Sequence, residues 1–243
     1  MPFEEGGNPT GLTCPTRPTG QTDLQGRGFF CSWSGGKDSC LALWRAVRRG
    51  GSLRRLLTML TEDGSRSRSH GLPPAVIAAQ SAALGIPLLT GRAGWDDYEA
   101  VFLARLAEFK AEGIADGVFG DIDLEPHRQW VERVCRLHGI AAHLPLWQEA
   151  RRDLLAEFIG AGFSATIVAV SDARLPTAFL GRHLDWPTVA DLEAVGVDAC
   201  GEEGEFHTVV TGGPLFSAPL ALRHGAVVGH AGYSFLEVTL ADG

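Results

Sequence analysis

The 243 residues leave room for one large domain or two modest ones, and 45% hydrophobic beside 21% charged residues is a globular composition that excludes a disordered or fibrous chain. Lys and Arg number 21 against 29 Asp and Glu, and the resulting net charge of -8 argues against a dedicated nucleic-acid binder. The longest apolar runs, such as 165–170, are far too short to cross a bilayer, so no membrane association is expected.

In chain order, residues 1–27 are rich in Gly, Pro, Thr and Gln, and their near lack of bulky apolar side chains predicts a loose tail. Met1 to Asn8 carries Glu4 and Glu5 and has no apolar secretory core, which points to a cytoplasmic protein. From Gly28 the pattern changes. Strands are predicted at 28–33, 53–60, 86–89, 117–120 and 140–144. Helices alternate with them: 37–49, then 73 or 74 to 84 stopped by Gly85, a longer one from Asp96 with Tyr98, Phe102, Leu106 and Phe109 on one face, and 126–138. Parallel strands joined by helices imply a Rossmann-like, doubly wound α/β sheet over 28–145. After Pro145 the rhythm loosens, with helices at 151–159 and 189–195 and strands at 165–170, 206–211 and 234–240. That change predicts a smaller α+β subdomain over 146–243, which we expect to bind the acceptor.

The densest chemical signal is Ser34-Gly35-Gly36-Lys37-Asp38-Ser39, set between a strand and a helix. A triphosphate needs several backbone N–H donors close together, and two glycines let the chain approach it without a side chain in the way. The helix N-terminus and Lys37 add positive charge, and the hydroxyls of Ser34 and Ser39 add donors. Asp38 would repel phosphate directly and is better used through a bridging Mg²⁺. Gly36-Lys37 is followed by Asp38, so a Walker A loop is excluded, and no Gly-x-Gly-x-x-Gly fingerprint is present. Asp121 is expected at the C-terminal end of the fourth strand, the edge where open α/β sheets bind ligands. Glu202, Glu203 and Glu205 put three carboxylates within four residues between Gly201 and Gly204, a cluster suited to a cation or to work as a base. Arg66, Arg68 and His70 lie in a polar loop at the same sheet edge as the Ser34 loop. The five cysteines form no Cys-x-x-Cys pair and there is no His-Glu-x-x-His, so neither a disulfide framework nor a zinc site is assigned. Cys200 reads as a small buried thiol, and the six tryptophans as core residues.

The hexapeptide resembles the PP-loop of the ATP pyrophosphatases. Further blocks, among them 85–88, 120–122, 145–147, 161–165, 200–208 and 213–216, resemble the diphthine-ammonia ligase family and carry the likeness from Phe29 to about Leu220. The resemblance implies an amide-forming ligase that adenylates a carboxylate with ATP and Mg²⁺, then lets ammonia displace AMP, with pyrophosphate as the other product. It implies ATP binding by Ser34 to Ser39, catalytic roles for Asp121, Glu202 and Glu205, and acceptor contacts from His70, Glu203, Phe206 and His207. ATP, ammonia and a protein or small-molecule carboxylate are the expected partners; a homodimer is allowed, and free ammonia is the simplest nitrogen source. The other readings are a PP-loop tRNA-modifying enzyme and a non-catalytic ATP- or AMP-sensing module. Where eukaryotic and archaeal members of the family read Glu-Tyr-Glu-Thr, this chain has Glu205-Phe206-His207-Thr208, a variant associated with bacterial members that puts diphthine itself in doubt as acceptor.

Overall fold

The computed structural model describes residues 23–241. Of the tail expected over residues 1–27, residues 1–22, Cys14 among them, lie outside the described residues. Its last residues are built into the protein: Leu24 is fully buried, Gly26 N–H donates to Gly50 O at 2.9 Å, and Arg27 pairs with Asp116 at 2.9 Å. One fully buried leucine contributes about 2 kcal/mol, enough to fix so short a segment.

The first sheet has β1 (Gly28–Ser32), β2 (Ser52–Leu60), β3 (Leu88–Arg92), β4 (Asp116–Val118) and β5 (Ala141–His143), all parallel in the order β3-β2-β1-β4-β5. Helices α1 (Lys37–Arg48), α2 (Pro74–Leu84), α3 (Tyr98–Ala111) and α4 (Glu125–Leu137) connect them. Alternation along β1 feeds both faces. Phe29 and Cys31 join Cys40 and Leu43 of α1 and Val76 and Ile77 of α2, whereas Phe30 joins Phe102, Leu106 and Phe109 of α3 and Val131 and Val134 of α4. The Phe30 and Phe109 rings stack at 4.5 Å. This is the doubly wound α/β fold that the strand–helix alternation predicts.

Beyond it come α5 (Arg151–Gly160), β6 (Ser164–Ser171), a 3-10 turn at Thr177–Phe179, α6 (Trp186–Ala194), β7 (Phe206–Gly212), β8 (Leu222–His230) and β9 (Tyr233–Leu240). The strands form an antiparallel sheet in the order β7-β6-β9-β8. Ile167, Val168, Val209 and Val210 belong to the same apolar cluster as α1 and α2, so those helices are covered by a sheet on either side.

Several boundaries differ from expectation for local reasons. β3 starts at Leu88 rather than Ile86 because Gly85, at φ +67°, closes α2 with Gly85 N–H to Ala82 O and Ile86 N–H to Ser81 O. That paired closure keeps Ile86 in the helix stop. α6 begins at Trp186, three residues before the expected Val189, because the Asp185 side chain caps Thr188 N–H at 2.9 Å with Pro187 in the first turn. β8 was not expected at all; Gly225, Gly229 and a mostly exposed surface leave it without a two-residue apolar period. The tryptophans are not uniformly core residues either. Trp33 is buried, but Trp95 is 82% exposed.

Candidate functional site

The strand order reverses between β1 and β4, and a cavity of about 610 Å³ opens at their C-terminal ends. Ser34, Asp38 and Ser39 line it from the loop after β1, and Gly120 and Asp121 line it after β4. Thr58 and Met59 come from β2, His70 from the loop after it, and Glu202, Glu203 and His207 from the chain entering β7.

The loop after β1 is fixed from behind. Gly35 takes φ +83°, and a Cβ on it would lie 2.8 Å from Gln80, Ile77 and Leu72 side-chain atoms. Gln80 is fully buried; its Nε2 donates to Gly35 O at 2.9 Å and to Val210 O at 2.7 Å, and its Oε1 accepts from Trp33 Nε1 at 2.9 Å. Gly35 O also accepts from Val210 N–H at 2.9 Å. Ser34 and Ser39 hydroxyls meet at 3.0 Å, and Gly36 N–H donates to Ser34 Oγ at 3.3 Å. Gly36 caps α1 without a side-chain acceptor, and with Lys37 N–H taken by Thr208 the helix offers the N–H groups of Asp38 and Ser39 and its positive dipole end at the cavity. A Cβ on Gly120 would lie 2.8 Å from Asp38 C and Ser39 N, a measure of how closely the chain after β4 passes the start of α1.

Lys37 does not line the cavity. It is buried, and its ammonium donates to both Asp38 oxygens at 2.7 Å and to Glu202 Oε1 at 3.2 Å, while Lys37 N–H donates to Thr208 Oγ1 at 3.1 Å. Burial opposes its charge, but Asp38 and Glu202 outweigh that and hold the ammonium above its ordinary range. Burial, with Asp38 nearby, pushes Glu202 up to about 7 although Lys37 pulls the other way. Asp38, Cys200 and Glu202 offer ligand atoms within 4.8 Å of one another, but the Lys37 ammonium already binds both carboxylates and burial pushes the Cys200 thiol up to about 12. A protonated thiol and two ion-paired carboxylates are a poor cation cage.

On the far wall His70 Nδ1 meets Thr208 O at 2.7 Å; a carbonyl only accepts, so Nδ1 carries the proton and Nε2 is left as an acceptor. The His70 and His207 rings lie 4.8 Å apart, and burial lowers them to about 4 and about 3, so both are neutral near pH 7. His127 Nδ1 stands 3.4 Å from Asp121 Oδ1, which raises the imidazole above its usual range.

Of the residues singled out in the sequence, Ser34, Asp38, Ser39, His70, Asp121, Glu202, Glu203 and His207 meet on this one cavity, while Gly35, Gly36 and Lys37 support it from behind. Glu205 and Phe206 are placed elsewhere. Glu205 is buried, accepts from Glu203 N–H at 3.0 Å and pairs with Arg174 at 3.1 Å, while Phe206 is a core residue. Neither residue expected to act in catalysis or acceptor contact, Glu205 or Phe206, lines the cavity; both support the loop from behind it. Gln80, Thr208, His127, Asp198 and Arg174 were not singled out; Gln80, Thr208 and Arg174 acquire their roles from partners far away in sequence, and Asp198, which caps Cys200 and Glu202 N–H, is tied to Arg151 only by the fold. His127 carried a cue, lying six residues after Asp121 in the first turn of α4 at the same sheet edge.

Two family models match the chain: the diphthamide synthase N-terminal domain over residues 29–142 and the diphthamide synthase C-terminal domain over residues 150–240. Diphthine--ammonia ligases of Bos taurus and Homo sapiens are each 29% identical over 232 residues, covering 84% of this chain and 86% of theirs. The Schizosaccharomyces pombe protein of the same name is 27% identical over 82% of this chain but only 36% of its own length. A solved structure, a predicted tRNA methyltransferase subunit from Methanocaldococcus jannaschii, superposes with a TM-score of 0.42 at 15% identity, covering 77% of this chain and 98% of that one.

Proposed function

Because the chain belongs to the diphthamide synthase family, we propose that the cavity is an ATP-dependent, amide-forming centre that adenylates a carboxylate and lets ammonia displace AMP. The observation that carries this reading is the junction of two unlike walls, a helix N-terminus with hydroxyls on one side and carboxylates on the other, tied by Lys37 N–H to Thr208. A carboxylate is inert to ammonia until one oxygen becomes a leaving group. In the first step an acceptor carboxylate oxygen attacks the α-phosphorus, the bond to the bridging oxygen breaks, and pyrophosphate leaves with its electron pair. In the second the ammonia nitrogen attacks the acyl carbon and AMP departs, leaving the amide.

The residues divide between these demands. Ser34, Ser39 and the first turn of α1 hold the triphosphate. Asp38 lies on the cavity wall, but both its oxygens accept from the Lys37 ammonium, so it would hold a magnesium ion only by giving up that pair, and no step is assigned to the metal. Ammonia reaches the site mainly as ammonium near neutral pH, so it must lose a proton before it attacks. Glu202, poised at about 7, takes that proton, while Asp121 and the free Nε2 of His70 hold N–H groups of the nucleophile. Glu203, 55% exposed, stands on the acceptor side. Residues 146–243 bring Glu202 and Glu203 to the nucleotide domain of residues 28–145, which itself supplies Asp121 and His70.

The test is product analysis with the full chain, ATP, ammonium and cell extract as acceptor source. AMP and pyrophosphate released in step with amide are expected; ADP and phosphate would overturn the chemistry, and binding without turnover would leave a nucleotide sensor. Expression in cells lacking diphthine-ammonia ligase asks about the acceptor, and we expect poor diphthamide rescue, because the uncharged His207 supplies none of the attraction that a carboxylate at that position would give a trimethylammonium.

A further inference from the structure

Four carboxylates line the cavity, Asp38, Asp121, Glu202 and Glu203, and no Lys or Arg lines it among the described residues. An arginine lies just behind the wall. Arg68 sits between the lining residues Ser67 and Ser69, with its backbone N–H bonded to Met59 O at 2.9 Å. Its Nη1 donates to Ala93 O at 3.0 Å. Nε and Nη2, both buried, have no hydrogen-bond partner among the described residues.

Those two atoms are the side-on fork of a guanidinium, the pair of parallel N–H donors that matches the two oxygens of one carboxylate. A buried donor left unmade is costly, so an unfilled fork beside a ligand cavity calls for an acceptor. The guanidinium is also held flat: its carbon lies 3.9 Å from the centre of the Trp95 ring, which is otherwise 82% exposed. An indole this exposed gains little by burial in the chain, and its contact with Arg68 fixes the plane of the fork. Tyr98 lies on the cavity wall, as do Ser67 and Ser69 on either side of Arg68. Burial raises its phenol above the usual range, with the Arg68 charge opposing and Asp121 reinforcing, so Tyr98 stands within electrostatic reach of both.

We infer that Arg68, aligned by Trp95 and Ala93, binds a second carboxylate of the acceptor, so that the molecule amidated here is a dicarboxylate or carries an acidic neighbour to the reacting carboxyl. This rests on the reading of the cavity as an adenylating centre. The reacting carboxylate itself is a poor candidate for the fork, because a bidentate clamp would occupy both oxygens, one of which must attack phosphorus. The other cation of the same loop is already used: Arg66 binds Gly71 O at 3.1 Å and Glu237 at 2.9 Å.

The test is calorimetric titration of the full chain with glutarate, butyrate, γ-butyrobetaine and inorganic phosphate, for the native protein, Arg68→Met and Arg68→Lys. Met keeps the apolar stem and Lys keeps the charge without the fork. Saturable glutarate binding, tighter than butyrate and weakened about tenfold or more in both variants, is expected, as for charge-assisted hydrogen bonds. A change in Trp95 emission on adding glutarate, absent in Trp95→Phe, should accompany it. Equal glutarate affinity in native protein and Arg68→Met, or no glutarate binding at all, overturns the inference. So does tighter binding of γ-butyrobetaine, which carries a fixed cation, or of phosphate. A separate titration with ATP keeps the two claims apart: ATP binding unchanged in Arg68→Met with glutarate binding lost supports the fork, whereas native protein that binds no ATP fails the underlying reading.

Discussion

The loop after β1 and the loop before β7 meet on the same cavity but are held by opposite means. The first is fixed by neutral, buried groups: Gln80 to Gly35 O and Val210 O, Val210 N–H to Gly35 O, and Thr58 Oγ1 to Trp33 O at 2.6 Å. The second is fixed by charge. Asp198 accepts from Cys200 N–H at 3.0 Å and from Glu202 N–H at 3.3 Å while pairing with Arg151 at 2.8 Å, and Glu205 pairs with Arg174. Neutral buried bonds do not titrate and are hardly screened, whereas ion pairs answer to pH and salt. The difference fits the two tasks: the phosphate wall keeps one shape, and the acidic wall must pass a proton.

Breaking the neutral side should give the largest effect. Gly120→Val would drive a side chain into the backbone at Asp38 and Ser39, and we expect a loss of about 3 kcal/mol in chemical unfolding together with loss of ATP binding. The three atoms nearest a Cβ on Gly36 all belong to the His70 side chain rather than to backbone, so Gly36→Val should stay folded and lose ATP affinity. A fully stable Gly120→Val protein that binds ATP would show that the two chains need not approach so closely.

The charged side should separate into chemistry and support. Glu202→Gln keeps the shape but cannot take a proton, and we expect amide formation to fall about 100-fold with ATP affinity kept. Because the working form is the carboxylate, the native rate should rise with pH up to about 7, and that limb should vanish in the variant. Glu205→Ala should behave differently: about 2 kcal/mol of stability lost, from the buried acceptor of Glu203 N–H and half-exposed Arg174, with ATP binding retained in the folded fraction. Rate loss in Glu205→Gln at unchanged stability would return Glu205 to the chemistry.

The same contrast explains what was legible in the sequence. Ser34 to Ser39 could be read because a phosphate loop is a local device: two glycines, two hydroxyls and a helix start, all contiguous. The alternation of strand and helix up to Pro145 was legible because the parallel sheet buries both faces and leaves strong apolar runs. The acidic block was visible as a cluster, but its division of labour was not. Glu202 and Glu205 differ by three positions, yet one lies on Lys37 and the other on Arg174, partners that only the tertiary fold supplies. Gln80 was invisible for the same reason: a buried glutamine in a helix has no signature until Gly35 and Val210 arrive beside it.

The smallest effect concerns the two histidines and sharpens the contrast on the acid side. His207 faces the His70 ring at 4.8 Å and the Tyr233 ring at 5.9 Å, with Lys37 lowering and Asp38 raising its proton affinity, and burial dominates. A folded-state value of about 3 against an ordinary 6.5 means that the unfolded chain binds a proton the folded chain refuses. Stability from this group is therefore complete above pH 6.5 and is lost as pH falls from there toward about 3. His70 acts in the same direction down to about 4. Glu202 acts in the opposite direction between about 7 and its ordinary 4.5, since its raised value lets the folded chain take up the proton first. His207→Phe leaves an aromatic ring among His70, Tyr233 and the Tyr233 neighbour Phe235 and removes one of the two histidine contributions. Between pH 6.5 and 5 the variant should lose about 1 kcal/mol less stability than the native protein, allowing for partial solvent screening. Urea unfolding at both pH values measures this, and parallel losses in the two proteins would mean that His207 is solvated in solution and that the far wall is less dry than its packing indicates.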